Sequence, residues 1–256
     1  MTEASLLASL PGLAFALMLV LCRAGTAVML LPGLGEAEAP TMVRAGLALA
    51  LSMLLLPVVA PLVPALPEGA SGAAMIGAEL LTGAALGWLA RLPALALSMA
   101  GAIVSYLLGL SSVLQPDPAL GGQSAALARL FGLVAPVLIL STGLYSMPLS
   151  ALAGSYAVVA PGGMLPAGGV TELLIKVAGE ALGLALQLSA PFLLAGLVWQ
   201  VGMGLLARLV PQLQVYTAAA PGQILGGLVL LSLLAARILS AWADSVSGSW
   251  AALPGL

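Results

Sequence analysis

From Ala181 to Ala207 the chain reads ALGLALQLSAPFLLAGLVWQVGMGLLA, without a single Asp, Glu, Lys or Arg. A helix needs about 20 apolar residues to cross a bilayer, so this stretch is long enough to do so. Downstream, Arg208 to Gln214 forms a short turn around Pro211, and a second apolar run, Ala218 to Ala243, follows with Arg237 inside it and a short polar tail after it. Two long apolar runs joined by so short a turn predict an antiparallel helical hairpin. Upstream, Thr171 is placed to cap the helix. Glu172, Lys176 and Glu180 recur at i, i+4 and i+8 and share one helical face.

The rest of the chain repeats the pattern. Ser5 to Leu31 is apolar except for Arg23, and Pro32 to Pro40 has turn chemistry and two acids. Ala45 to Leu66 is uncharged, but Pro57, Pro61 and Pro64 predict that its end kinks or unwinds, because proline removes a backbone donor. Ala70 to Leu114 is too long for one simple span. With Arg91-Leu92-Pro93 near its middle, it is either two helices or one bent helix. After a polar segment, Ala125 to Val159 is ended by Pro161-Gly162-Gly163 and Pro166-Ala167-Gly168-Gly169. The expected fold is an all-α, multi-helix integral membrane protein of six hydrophobic segments, or seven if the third is split.

Composition agrees. Of 256 residues, 62% are hydrophobic and 6% charged, against about 25% charged in ordinary soluble domains. Such a chain cannot cover its own surface with polar groups, and lipid must do so. No Lys or Arg precedes Arg23, so the first run is expected to stay as a helix rather than be removed as a signal peptide. Arg44, Arg129 and Arg208 flank loops on one side and Lys176 lies on the other, which predicts three cytoplasmic loops and both termini outside.

The chemistry is sparse. There is no histidine, which excludes Ser-His-Asp and Cys-His catalysis and His-ligated metal. No Gly-rich phosphate loop and no basic stripe for nucleic acid occur. The one cysteine, Cys22, reads as a small buried hydrophobe. Neither an enzyme nor a cofactor is expected. Arg23, Glu79 and Arg237 stand out as candidate buried charges, since a charge in a bilayer seeks a partner or a watery space. For Arg23 and Glu79 pairing between helices or subunits is the favoured reading, with a polar pathway as the alternative. Gly83 and Gly87 form a Gly-x-x-x-Gly pair, the spacing that lets membrane helices approach closely.

The chain carries Phe15, Arg23, Pro32, Gly35, Pro40 and Arg44 early, and Glu79, Gly83, Gly87, Gly101, Gly109 and Asp117-Pro118 in the middle. Late come Ala190-Pro191, Arg208-Leu209-Val210-Pro211-Gln212-Leu213-Gln214-Val215-Tyr216, Pro221 and Ile224. This arrangement resembles the FliR family of flagellar export membrane proteins and their homologues in virulence type III secretion. Gln214 and Tyr216 stand where the family commonly has Asn and Phe, and Gln223 near a common Lys. The resemblance implies a structural and gating subunit of the export gate in the inner membrane of the flagellar basal body. The implied partners are FliP-like and FliQ-like subunits, other export apparatus proteins, unfolded export substrates and membrane lipid. It implies a FliP-like part over 1–170 and a FliQ-like hairpin over 171–256. It also implies a channel plug formed by Gly109, Leu110, Ser111, Ser112, Gln115, Pro116, Asp117, Pro118, Gly121, Gly122 and Gln123, and a cytoplasmic turn formed by Arg208, Pro211, Gln212, Gln214 and Tyr216. The rival from another class is a self-contained secondary transporter with Pro/Gly-broken helices around a midplane site. A subunit of a virulence secretion system is the third reading.

Overall fold

The computed structural model describes residues 3–64, 70–109, 126–209, 215–253 and 255. All regular structure among them is helical: α1 (Glu3–Leu30), α2 (Thr41–Val59) running into a 3-10 turn (Ala60–Leu62), α3 (Ala70–Leu107), α4 (Ala126–Thr142), α5 (Ser146–Val158), α6 (Ala167–Leu209) and α7 (Val215–Ala251). Among the described residues, five helices are long and apolar enough to cross a membrane, and α4 with α5 makes a sixth if that bent pair counts as one span.

The unwinding expected after Pro57 occurs at Pro61, where the α-helix tightens into the 3-10 turn and leaves it at Val63. The third run is one helix with Pro93 inside it. Three expectations change. The fourth run is two helices, turned by 74° at Gly143, whose φ of +76° only glycine adopts freely. Thr171 is not a cap. α6 already starts at Ala167, where the carbonyl of Pro166 accepts the amide of Val170 at 3.2 Å. The polar tail after Ala243 is helix as far as Ala251, because Trp242, Val246 and Trp250 recur every four residues and are fully buried.

The chain divides into two compact units. The first comprises Met1–Pro93, Pro136–Ala178 and Ser247–Leu256. In it α1 buries Ala16, Leu19, Val20, Arg23, Ala24, Ala27 and Val28, an i, i+3, i+4 stripe. α5 presents Pro148, Ala151, Leu152, Ser155 and Tyr156 with the same period. Ala24 and Ala27 of α1, Leu86 of α3 and Leu152 of α5 form one core cluster, and Leu51 and Leu55 of α2 pack against it. The C-terminal end joins this unit. The indole of Trp250 donates to the Ala90 carbonyl at 3.0 Å.

The Gly83/Gly87 pair is the α3 face that lies on α1. A Cβ at Gly83 would collide with the Arg23 carbonyl and the Thr26 hydroxyl, and one at Gly87 with Leu30. The motif therefore packs two helices of the same chain. In the second unit, Ala94–Ala135 with Gly179–Val246, Gly101 of α3 lets the backbone of α4 approach at Leu127, and Gly222 of α7 faces Trp199 of α6.

This packing predicts opposite effects at two glycines of α3. Gly83→Ala forces a methyl into the α1 backbone and should cost about 1–3 kcal/mol as an overpacked contact. Gly77→Ala meets nothing within 4 Å and should be neutral or stabilise by up to about 1 kcal/mol through helix propensity. Thermal unfolding of the two variants in detergent separates them, and equal melting shifts would refute the assigned face.

Candidate functional site

Arg23 sits in the buried stripe of α1, with no accessible side-chain surface, and so does Glu79 on α3. A charge there is tolerable only with full compensation. The compensation is a two-pronged pair: Arg23 Nε donates to Glu79 Oε2 at 2.7 Å and Nη2 to Oε1 at 2.9 Å. The planar guanidinium matches the planar carboxylate, which is why Arg rather than Lys suits the position.

The remaining polar groups are drawn from α5 and the turn after it. Arg23 Nη1 donates to Ser155 Oγ at 3.3 Å and to the Val159 carbonyl at 3.0 Å. The Gly162 amide donates to Glu79 Oε1 at 2.6 Å. Gly162 has φ +77°, and any side chain there would also run into Met75. The Arg23 guanidinium carbon lies 4.2 Å from the centroid of the Tyr156 ring, a cation–π contact. The Tyr156 hydroxyl is buried without a hydrogen-bond partner among the described residues, so the site uses the ring and not the oxygen. With Glu79 accepting three donors and Arg23 donating from all three nitrogens, the centre is a cross-brace between α1, α3 and the α5–α6 connection.

A second pair lies at the end of α1. Arg91 Nη2 meets Glu36 Oε2 at 3.1 Å, and Nη1 donates to the Leu30 carbonyl at 3.1 Å. Glu36 also accepts from the Gly33 amide at 3.2 Å. The loop after α1 is thus tied to α3. Among the described residues, no group of three or more His, Cys, Asp or Glu is placed to hold a metal ion.

The other candidate residues fall elsewhere. Arg237 is exposed on α7, so it is not a buried charge in this chain. The apolar run around it gives no hint of which side faces out. Glu172, Lys176 and Glu180 are exposed on α6. Of the turn residues, Arg208 is exposed in the last turn of α6 and Tyr216 belongs to the first turn of α7. Pro211, Gln212 and Gln214 lie outside the described residues. Gly109 lies in the turn after α3 with φ +70°. The other proposed plug residues, Leu110, Ser111, Ser112, Gln115, Pro116, Asp117, Pro118, Gly121, Gly122 and Gln123, also lie outside. Sequence reasoning missed Ser155, Tyr156, Val159 and Gly162 as partners of the ion pair. Their only sequence signal is the Pro161-Gly162-Gly163 turn.

Comparison with known proteins matches residues 14–248 to the family described as bacterial export proteins, family 1. The flagellar biosynthetic protein FliR of Caulobacter vibrioides is 31% identical over 228 residues, covering 88% of this chain and 90% of that protein. FliR of Escherichia coli K12 is 29% identical over 207 residues, covering 79% of this chain and 77% of that protein. The Yop proteins translocation protein T of Yersinia pestis is 30% identical over 151 residues, 57% of each chain.

Removing one partner of the buried pair strands the other. Arg23→Met should cost about 3–5 kcal/mol, whereas Arg23→Met with Glu79→Gln should recover part of it, because no charge is then left unpaired. Tyr156→Phe, which removes a partnerless hydroxyl, should change stability by less than about 0.5 kcal/mol. The yield and melting temperature of folded chain in detergent measure all three. A double variant as damaged as Arg23→Met would show that the stranded carboxylate is not the cause.

Proposed function

The chain belongs to the bacterial export proteins, family 1, and from that premise we propose that it is a structural and gating subunit of the flagellar type III export gate. The observation that carries a role within an assembly is the uneven burial of its helices. The most apolar stretch of α3 is 56% buried by the chain itself, but that of α2 only 17% and that of α7 only 11%. Leu54, Val58, Leu194, Val198 and Leu233 are each at least two-thirds exposed. Apolar surface of this extent has to be covered by lipid or by other membrane subunits. The FliP-like and FliQ-like subunits are the partners that the FliR resemblance supplies, and the inner membrane of the basal body is the location that goes with them. The flagellar relatives match more of the chain than the Yersinia secretion protein does, which favours the flagellar system.

Gating rests on the resemblance of 109–123 to a channel plug. The FliQ-like character of 171–256 rests on the same resemblance. The two compact units each draw on both sides of residue 170.

Purification in mild detergent followed by native mass analysis tests the assembly. A large complex holding one copy of this chain is expected, and a stable lone monomer that binds a small solute would favour a transporter instead. Shortening the loop between Leu110 and Gly121 should leave that complex intact while making the membrane leak small solutes. A tight, fully assembled variant would sink the plug reading.

A further inference from the structure

The C-terminal end of α3 is held in a manner that the helix alone does not require. The last α-helical residue, Leu107, offers a carbonyl that has no donor further along its own helix. Gln223, reaching over from α7, donates Nε2 to it at 2.7 Å. One residue later, buried Leu108 lies over Gly227 of α7, so closely that a Cβ on Gly227 would fall inside the Leu108 side chain. The chain then turns at Gly109, whose φ is +70° and whose amide returns to the Tyr106 carbonyl at 3.1 Å. Gln223 and Gly227 are four residues apart, one helical turn, and so face the same side of α7. All of these residues belong to the second compact unit.

We propose that Gln223 is a positioning residue: with Gly227 as its seat, it clamps the end of α3 to α7 and fixes the point and direction in which the chain leaves that helix. A side-chain amide is suited to the task. It supplies an N–H to the orphan carbonyl. This goes beyond the export role and is read on the chain itself, so the test does not depend on that role being correct.

The test is a cross-link across the clamp. In a Cys22→Ser background, Leu108→Cys and Gly227→Cys place two thiols at the contact, and mild oxidation should join them rapidly in the folded chain in detergent. Gln223→Met keeps the volume and removes the donor, and Gln223→Asn keeps the amide but falls one methylene short. Both should slow cross-linking about fivefold, the weight of one net hydrogen bond. Gln223→Lys keeps a donor at that reach and should cross-link at the parental rate. The proposal is overturned if Gln223→Met cross-links as fast as the parent, or if Gln223→Lys is as slow as Gln223→Met. It is equally overturned if none of the three variants accumulates, since Gln223 would then be needed for folding and not for positioning.

Discussion

The first compact unit depends on one electrostatic constraint: a guanidinium and a carboxylate, both without solvent access, must meet inside an apolar bundle. In such surroundings each charge by itself would cost several kcal/mol. The constraint sets the rotation of α1 about its axis, because Arg23 has to face inward. It sets the height of α3, because Glu79 has to stand level with Arg23. It also holds the turn after α5, whose Val159 carbonyl and Gly162 amide complete the shell. Three segments distant in sequence are therefore fixed by one pair.

The pair can close only because two helices approach almost to backbone contact. Gly83 and Gly87 on α3 provide that approach, with the Arg23 and Ala27 carbonyls of α1 against them. Polar atoms along this contact are satisfied locally. Thr26 and Thr82 each return their hydroxyl to a carbonyl four residues earlier, at 2.6 and 2.7 Å. The α1–α3 contact thus gains close packing without leaving the Thr26 and Thr82 hydroxyls unpaired. The Arg91–Glu36 pair repeats the device nearer the surface, where its side chains keep 23% and 19% of their exposure, and there it contributes less.

On the outward faces of the helices the logic reverses. α2, α6 and α7 leave most of their apolar surface uncovered by the chain. That suits a membrane-embedded subunit of flagellar type III protein export, which meets lipid and the rest of the export apparatus.

What the sequence determined was set by composition and by backbone chemistry. Apolar runs of spanning length dictate membrane helices. Pro61 forces α2 to unwind, and the Pro161-Gly162-Gly163 turn ends α5. A lone Arg23 in an apolar run demands compensation. These follow from local physics and are legible in one dimension. The break at Gly143, the early start of α6 at Ala167 and the helical course of α7 to Ala251 were not legible, because the neighbouring residues suit helix and break equally well. Nor could the sequence single out Glu79 as the partner of Arg23, or choose the inward face of α1, α3 or α7. A helix that is apolar all round has no hydrophobic stripe to read. Only tertiary packing, through the small residues at Gly83 and Gly87 and the need to bury no unpaired charge, decided which side of each helix turned inward.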